Sequence, residues 1–431
     1  MLNRLKLKSE FSRNVLTLMT GTTIAQAIPI VISPILTRIY TPEDFGVFAL
    51  YIGIVSFIAI VATARYEMAI VLPKSEKEAI NILALSILIT LSIVFVITLI
   101  IIFFKETILN ILNANSLGNI LYLVPLSTLL AGLAQSFNYW SNRKEYFKNM
   151  SNAQIAQSLS IGVSQPLLKY SGINSGLILG NIVGRFVSVF VLIHKFIKND
   201  RTSLDYIKKE VMIEQMIKYK DFPLVNSLHA FSDIVRNSGS VMLISSFFGS
   251  TILGFYSLSL RVLQLPIGII GSALGQVLYK KFSSLYNDNQ PLYPYVKSIM
   301  IKLILVGLPI FGILFFIAPD LFAFVFGEKW RVAGEYSQLL IPYLFMNFLA
   351  SPISSIFLIL DMQKLNFYIS IIGTGMLIGT FWVGHMLNID FINNLYILTS
   401  TMFIYYLFSI NYLLYKIRLH ENKEKENSVF I

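Results

Sequence analysis

Five basic residues stand where a polypeptide rarely tolerates them: Arg65, Arg185, Arg236, Arg261 and Lys302 all fall within long apolar runs. An ionised side chain at the centre of a bilayer costs at least ~2.5 kcal/mol on insertion scales, so such groups face a polar interior or stretch to the interface. Position along the run separates the two cases. At 1.5 Å per residue, Arg185, Arg236 and Arg261 lie about 14, 20 and 15 Å into their segments, close to mid-bilayer depth. Arg65 and Lys302 lie nearer segment ends, where an extended side chain reaches water. Around Arg236, polar residues recur at spacings of three and four: Asn226, His229, Asp233, Arg236 or Asn237, and Ser240. On an α-helix that spacing draws one polar stripe, the kind of face that lines water.

A guanidinium carries a planar fork of donors that suits phosphate and carboxylate oxygens and does not lose its proton. A cavity lined by several therefore selects anions. Mutual neutralisation of Asp233 and Arg236 is the structural alternative, yet three mid-depth arginines against one aspartate leave a net positive interior. The candidate substrate contacts are Arg185, Arg236, Arg261, Asn226, Arg65 and Lys302. Asp233, Glu67 and His229 are the groups able to titrate with a proton or bind Na⁺, with an interfacial anchor as the plainer reading of Glu67.

Other chemistries lack their residues. There is no cysteine, and the histidines His194, His229, His385 and His420 show neither HExxH spacing nor a carboxylate cluster, so no metal and no cofactor are expected. No GxxxxGK[ST] occurs, which leaves no built-in nucleotide-hydrolysing engine. The longest segment on the side opposite the termini, about 319–335, carries only Asp320, Glu328 and Glu335. That is too little for a membrane-embedded glycan polymerase or ligase, and no catalytic role is expected.

The elements that must hold these charges follow from composition. Of 431 residues, 55% are hydrophobic and 13% charged, with a mean hydropathy of +0.68. Soluble domains average about 25% charged. The pattern predicts an all-α polytopic membrane protein with spans near 15–36, 45–72, 79–104, 118–140, 151–169, 176–197, 222–248, 251–279, 296–318, 336–360, 365–387 and 391–415. The first of these is too long and too clearly followed by others for a signal peptide. Alternating sides along this count, 24 of the 34 Lys and Arg fall with the termini and five opposite. This bias places both termini in the cytoplasm, and the net charge of +11 needs no nucleic acid.

The second and eighth segments open alike, DFGVFALY at 44–51 and ILGFYSLS at 252–259, aligning Gly46 with Gly254, Phe48 with Tyr256 and Leu50 with Leu258 at an offset of 208. An offset of one six-helix half makes two parallel-related bundles around a central cavity. The expected layout is a first lobe at 1–197, a cytoplasmic linker at 198–220, a second lobe at 221–416 and a charged tail at 417–431.

Four stretches in order, TRIYTPEDFG (37–46), RYEMAIVLP (65–73), RVLQLPIG with GQVLYKKFS (261–283) and FGEKWRVAGEYSQLLIPY (326–343), resemble the Wzx-type oligosaccharide flippases of the multidrug, oligosaccharidyl-lipid and polysaccharide exporter (MOP) superfamily. The resemblance covers nearly the whole chain. It implies a bacterial plasma-membrane protein that moves undecaprenyl-pyrophosphate-linked repeat units of O-antigen, capsule or a related glycan to the outer leaflet, with ion-gradient coupling. It also implies a general cavity role for Arg65, Glu67 and Arg261, contact with membrane lipids, and other glycan-assembly membrane proteins as partners. The runner-up is a cation-coupled multidrug exporter of the same superfamily, which would favour an anionic interior.

Overall fold

In lipid every backbone N–H and C=O must find a partner within the chain, and for runs of this composition the helix supplies it. The computed structural model describes residues 2–288 and 290–429, and among them no strand occurs. The helices are α1 (Leu2–Ile39), α2 (Pro42–Ala59), α3 (Glu76–Ile111), α4 (Val124–Arg143), α5 (Phe147–Tyr170), α6 (Gly176–Asp200), α7 (Lys209–Lys218), α8 (Ser227–Ile234), α9 (Ser240–Phe248) and α10 (Ser250–Asn287). They continue with α11 (Leu292–Phe326), α12 (Arg331–Ala350), α13 (Ile356–Ile359), α14 (Gln363–Met386) and α15 (Phe391–Val429). Among the described residues nine segments are long and apolar enough to cross a membrane. The three other expected spans are also helical: α5, which carries Gln154, Gln157, Ser158, Ser160, Ser164 and Gln165; the broken stretch 222–248; and α10.

By packing, the chain divides into Met1–Gly254 and Phe255–Ile431. In the first unit α5 lies against α1 and α6, α4 against α3 and α6, and α2 against α4, α6 and α9. Trp140 and Phe137 meet Phe196 edge-to-face at 5.5 and 5.4 Å in its core. The TPED sequence starts α2 for a local reason. The Thr41 hydroxyl accepts from the Asp44 N–H at 3.1 Å, the Asp44 carboxylate accepts from the Thr41 N–H at 3.0 Å, and Pro42 occupies the first turn, so two orphan donors are satisfied reciprocally. The same carboxylate reaches Lys169 at the end of α5, 3.4 Å away.

The two glycines aligned by the internal repeat meet each other. A Cβ on Gly46 would collide with the Ser250 carbonyl, and one on Gly254 with the Pro42 carbonyl. Pro42 and Ser250 are themselves 208 apart, so the contact is reciprocal across the repeat, as an isologous contact is. Only a residue without Cβ permits this crossing.

In the second unit α12 packs on α11 and α15, and α14 on α15. Tyr256, Tyr336, Phe381 and Phe391 form a ring cluster with Phe381 stacked on Phe391 at 6.4 Å. Gly334 lies against the backbone of Ala318 and Pro319, and the Ser259 hydroxyl donates to the Ala333 carbonyl at 2.5 Å.

Four segments depart from expectation. The second span stops at Ala59, where turns and a 3₁₀ helix, Tyr66–Val71, replace it, with Ala64 and Arg65 in the left-handed region. The 198–220 stretch is no open linker: a 3₁₀ turn, Arg201–Tyr206, and α7 dock on α3 through Asn81, whose amide donates to the Tyr206 carbonyl at 2.9 Å and accepts from the Lys208 N–H at 2.9 Å. The 319–335 loop is mostly helix, because α11 runs through Pro319 to Phe326 and α12 starts at Arg331. Arg331 holds Asp320 and Glu328, each at 2.6 Å, at that turn. Finally, 222–248 is not one regular helix. π-helical turns at Phe222–Asn226 and Val235–Gly239 interrupt it, and a π turn shifts the angular register on which a straight three-and-four stripe depends.

Candidate functional site: arginines without carboxylates

Arg185 projects from α6, which packs close to α5 through Gly184, where a Cβ would meet Ile161 and the Gln157 carbonyl. Its Nε donates to Asn181 Oδ1 one turn earlier, at 3.1 Å. Tyr51 of α2 lies within electrostatic reach of the guanidinium, and the Tyr51 and Ser127 hydroxyls share a 2.7 Å hydrogen bond. This is a neutral polar setting for a partly buried cation, and among the described residues no carboxylate pairs with Arg185.

Arg236 sits in the second π turn. One of its terminal nitrogens, Nη2, is buried with no hydrogen-bond partner, and its carbonyl accepts from the Ser240 hydroxyl. Asp233 is exposed, and no ion pair joins it to Arg236. The mutual neutralisation that sequence spacing allows is therefore not adopted. An unmade charged donor at a buried nitrogen is costly unless something else accepts from it. The side chains of Asn226 and His229 lie outside the described residues.

Arg65 and Glu67 form a third group between spans. Glu67 is 1% exposed, accepts from the Thr63 hydroxyl at 2.5 Å and stands 3.8 Å from Arg65. Burial raises its carboxyl above the ordinary range, opposed by the Thr63 hydrogen bond and by the Arg65 charge. Tyr139 of α4 shares this environment. An interfacial anchor would leave the carboxylate in water, so Glu67 is a buried acid instead. Arg65 keeps a buried Nε without a partner.

The second unit contributes Arg261 and Lys302. Arg261, on α10, is partly buried and has neither hydrogen bond nor ion pair among the described residues. One turn before it, the Ser257 hydroxyl is buried and unpartnered. Lys302 is exposed on α11 and borders an apolar pocket of about 280 Å³ formed with Leu263, Ile267, Leu303 and Phe311, not a polar one. Among the described residues no three His, Asp or Glu side chains gather to hold a metal.

The sequence missed Tyr51, Ser127, Thr63, Tyr139 and Ser257. Asn181, four residues before Arg185, was readable from helical spacing; the others required the fold. Chemically, Arg185, Arg236 and Arg261 each present guanidinium donors with no acidic counterion among the described residues, a condition that favours an incoming anion.

Comparisons with known proteins show the family and the fold. The model of a family described as "Polysaccharide biosynthesis protein" matches residues 35–335. The succinoglycan biosynthesis transport protein ExoT of Rhizobium meliloti (strain 1021) is 23% identical over 310 residues, 71% of this chain and 60% of that protein. The chain thus spans about three fifths of this relative. Among solved structures, the lipid II flippase MurJ in an inward closed conformation superposes with a TM-score of 0.71 at 14% identity, over 95% of this chain and 90% of that one. An inward-facing multidrug resistance MATE transporter of the MOP superfamily superposes at 0.66 and 13% identity, over 94% and 95%. These two likenesses show the fold.

Proposed function

The chain belongs to the polysaccharide biosynthesis protein family, and from that premise we propose that it flips lipid-linked oligosaccharides, specifically undecaprenyl-pyrophosphate-linked repeat units, from the cytoplasmic to the outer leaflet of a bacterial plasma membrane. The observation that carries the proposal is the set of partly buried arginines lacking carboxylate partners: Arg185 with only Asn181, Arg236 with a buried unpartnered nitrogen, and Arg261 with no partner among the described residues. The oxygens of a diphosphate head group are acceptors that suit donors of this kind.

On this reading the lobes are 1–197 and 221–416, joined by 198–220, with both termini in the cytoplasm as the 24-to-5 charge bias supports. The reciprocal Gly46 and Gly254 contact supports the parallel repeat. Alternating access between lobes exposes the head group to one leaflet and then the other, while the lipid tail stays in the bilayer. Coupling to an ion gradient falls to Glu67, Asp233 or His229, and no chemical step is assigned to the chain. A drug exporter on the same fold would need an anionic interior for cationic cargo, and arginines that lack carboxylate partners among the described residues argue against it.

Deletion in the host, with rescue by wild type and by Arg236→Ala and Arg261→Ala, tests the proposal. The expected result is loss of surface glycan, accumulation of complete lipid-linked units by mass spectrometry, and failed rescue by both variants. Unchanged glycan with altered drug resistance would overturn it in favour of export.

A further inference from the structure

The turn between α4 and α5 holds a polar pocket that the arginine site does not use. Its volume is about 340 Å³, and its walls are Glu145, Tyr146, Lys148, Asn149, Asn152 and Lys195. Small-ligand pockets begin at roughly 300 Å³, so a single phosphoryl or diphosphoryl group fits.

We propose that this pocket binds a phosphoryl anion between Lys148, Lys195 and the Asn149 amide. The Asn149 Nδ2 is buried and has no hydrogen-bond partner, although it is a donor whose burial is costly unless an acceptor arrives. Lys195 is held in place rather than swinging free: its ammonium lies over the Tyr146 ring at 4.7 Å, and the Tyr146 hydroxyl is itself anchored on Asp200 at 3.3 Å. Two lysines against Glu145 leave one excess positive charge. The pocket also opens at the first turn of α5, which has neither a side-chain cap nor an acidic residue, so the positive end of the helix dipole adds potential there.

A phosphoryl group can come from an anionic phospholipid of the adjoining leaflet or from a soluble phosphate, and the experiment separates these sources. The full chain is reconstituted in phosphatidylcholine nanodiscs and titrated with inorganic pyrophosphate by calorimetry, then in nanodiscs containing phosphatidylglycerol, with retained lipid counted by native mass spectrometry. Pyrophosphate binding that survives phosphatidylglycerol identifies a soluble ligand. Binding suppressed by phosphatidylglycerol, with that lipid retained, identifies the head group. In both cases Asn149→Asp, which turns the donor into a repelling carboxylate, and the double variant Lys148→Gln with Lys195→Gln lower affinity or retention at least about tenfold. Their melting temperatures stay at the wild-type value, and Lys280→Gln, elsewhere on the surface, binds as wild type does. Absence of both pyrophosphate binding and lipid retention in the wild type, or unchanged binding in Asn149→Asp, would overturn the site.

Discussion

The charges at one end of the first unit and the arginines at 185, 236 and 261 are handled in opposite ways. Where α3, α4 and α6 converge, Lys144 bridges Glu76 at 2.9 Å and Asp200 at 3.4 Å. Asp200, 5% exposed, also accepts from Trp140 Nε1 at 3.1 Å and from the Tyr146 hydroxyl, while Ser203 donates to Glu76. Burial works against the Lys144 charge, but the two carboxylates together hold its ammonium above the ordinary range. Arg143 beside it is capped by the carbonyls of Ile70, Pro73, Lys74 and Ser75. Among the described residues Arg185 and Arg236 of the same unit, and Arg261 of the second, have no such carboxylates. A charge kept for folding is saturated by its neighbours, and a charge kept for a ligand is left with free donors.

The contrast breaks first if Asp200 proves dispensable. Asp200→Ala strands a buried indole N–H and an ammonium together, and we expect a loss of about 3 kcal/mol in unfolding free energy, read by denaturant titration in detergent. Gly254→Ala drives a methyl into the Pro42 carbonyl and costs about 2 kcal/mol by the same titration. A wild-type value there would remove the close crossing on which the repeat argument rests.

The interior arginines are expected to behave in the reverse way. Arg236→Gln keeps stability within about 1 kcal/mol of wild type or raises it, since the change removes an unsatisfied buried charge, while transport falls at least tenfold, about 1.4 kcal/mol. Glu67→Gln preserves the Thr63 contact and the fold. Because burial raises the Glu67 carboxyl, the side chain loses its proton only as pH rises past the ordinary carboxylate range. If it couples transport, the limb of the pH–flux profile above that range is absent from Glu67→Gln. The smallest effect belongs to Lys218→Gln: this exposed lysine pairs with Glu78 at 3.1 Å, and its removal leaves the melting temperature unchanged.

Much of this division was legible before the fold. Apolar runs located the helices, and depth along them singled out Arg185, Arg236 and Arg261. The offset of 208 paired Gly46 with Gly254, which do touch. Other features left no local signal. The π turns around Arg236 were hidden because three-and-four spacing presumes a regular α-helix. The stretch after Ala59 read as more span because its residues are apolar, although a 3₁₀ helix there buries Glu67. The docking of 201–218 depends on Asn81, whose partners Tyr206 and Lys208 lie more than a hundred positions away.

The most direct test of the central claim is flipping of an undecaprenyl-diphosphate-linked oligosaccharide in proteoliposomes by wild type and by a triple variant, Arg185→Gln with Arg236→Gln and Arg261→Gln, each with its melting temperature. We predict that the variant melts at or above the wild-type temperature and flips at the rate of empty liposomes. Wild-type flipping by the triple variant, or a collapse of its melting temperature, would contradict the claim that these arginines are kept for an anionic cargo.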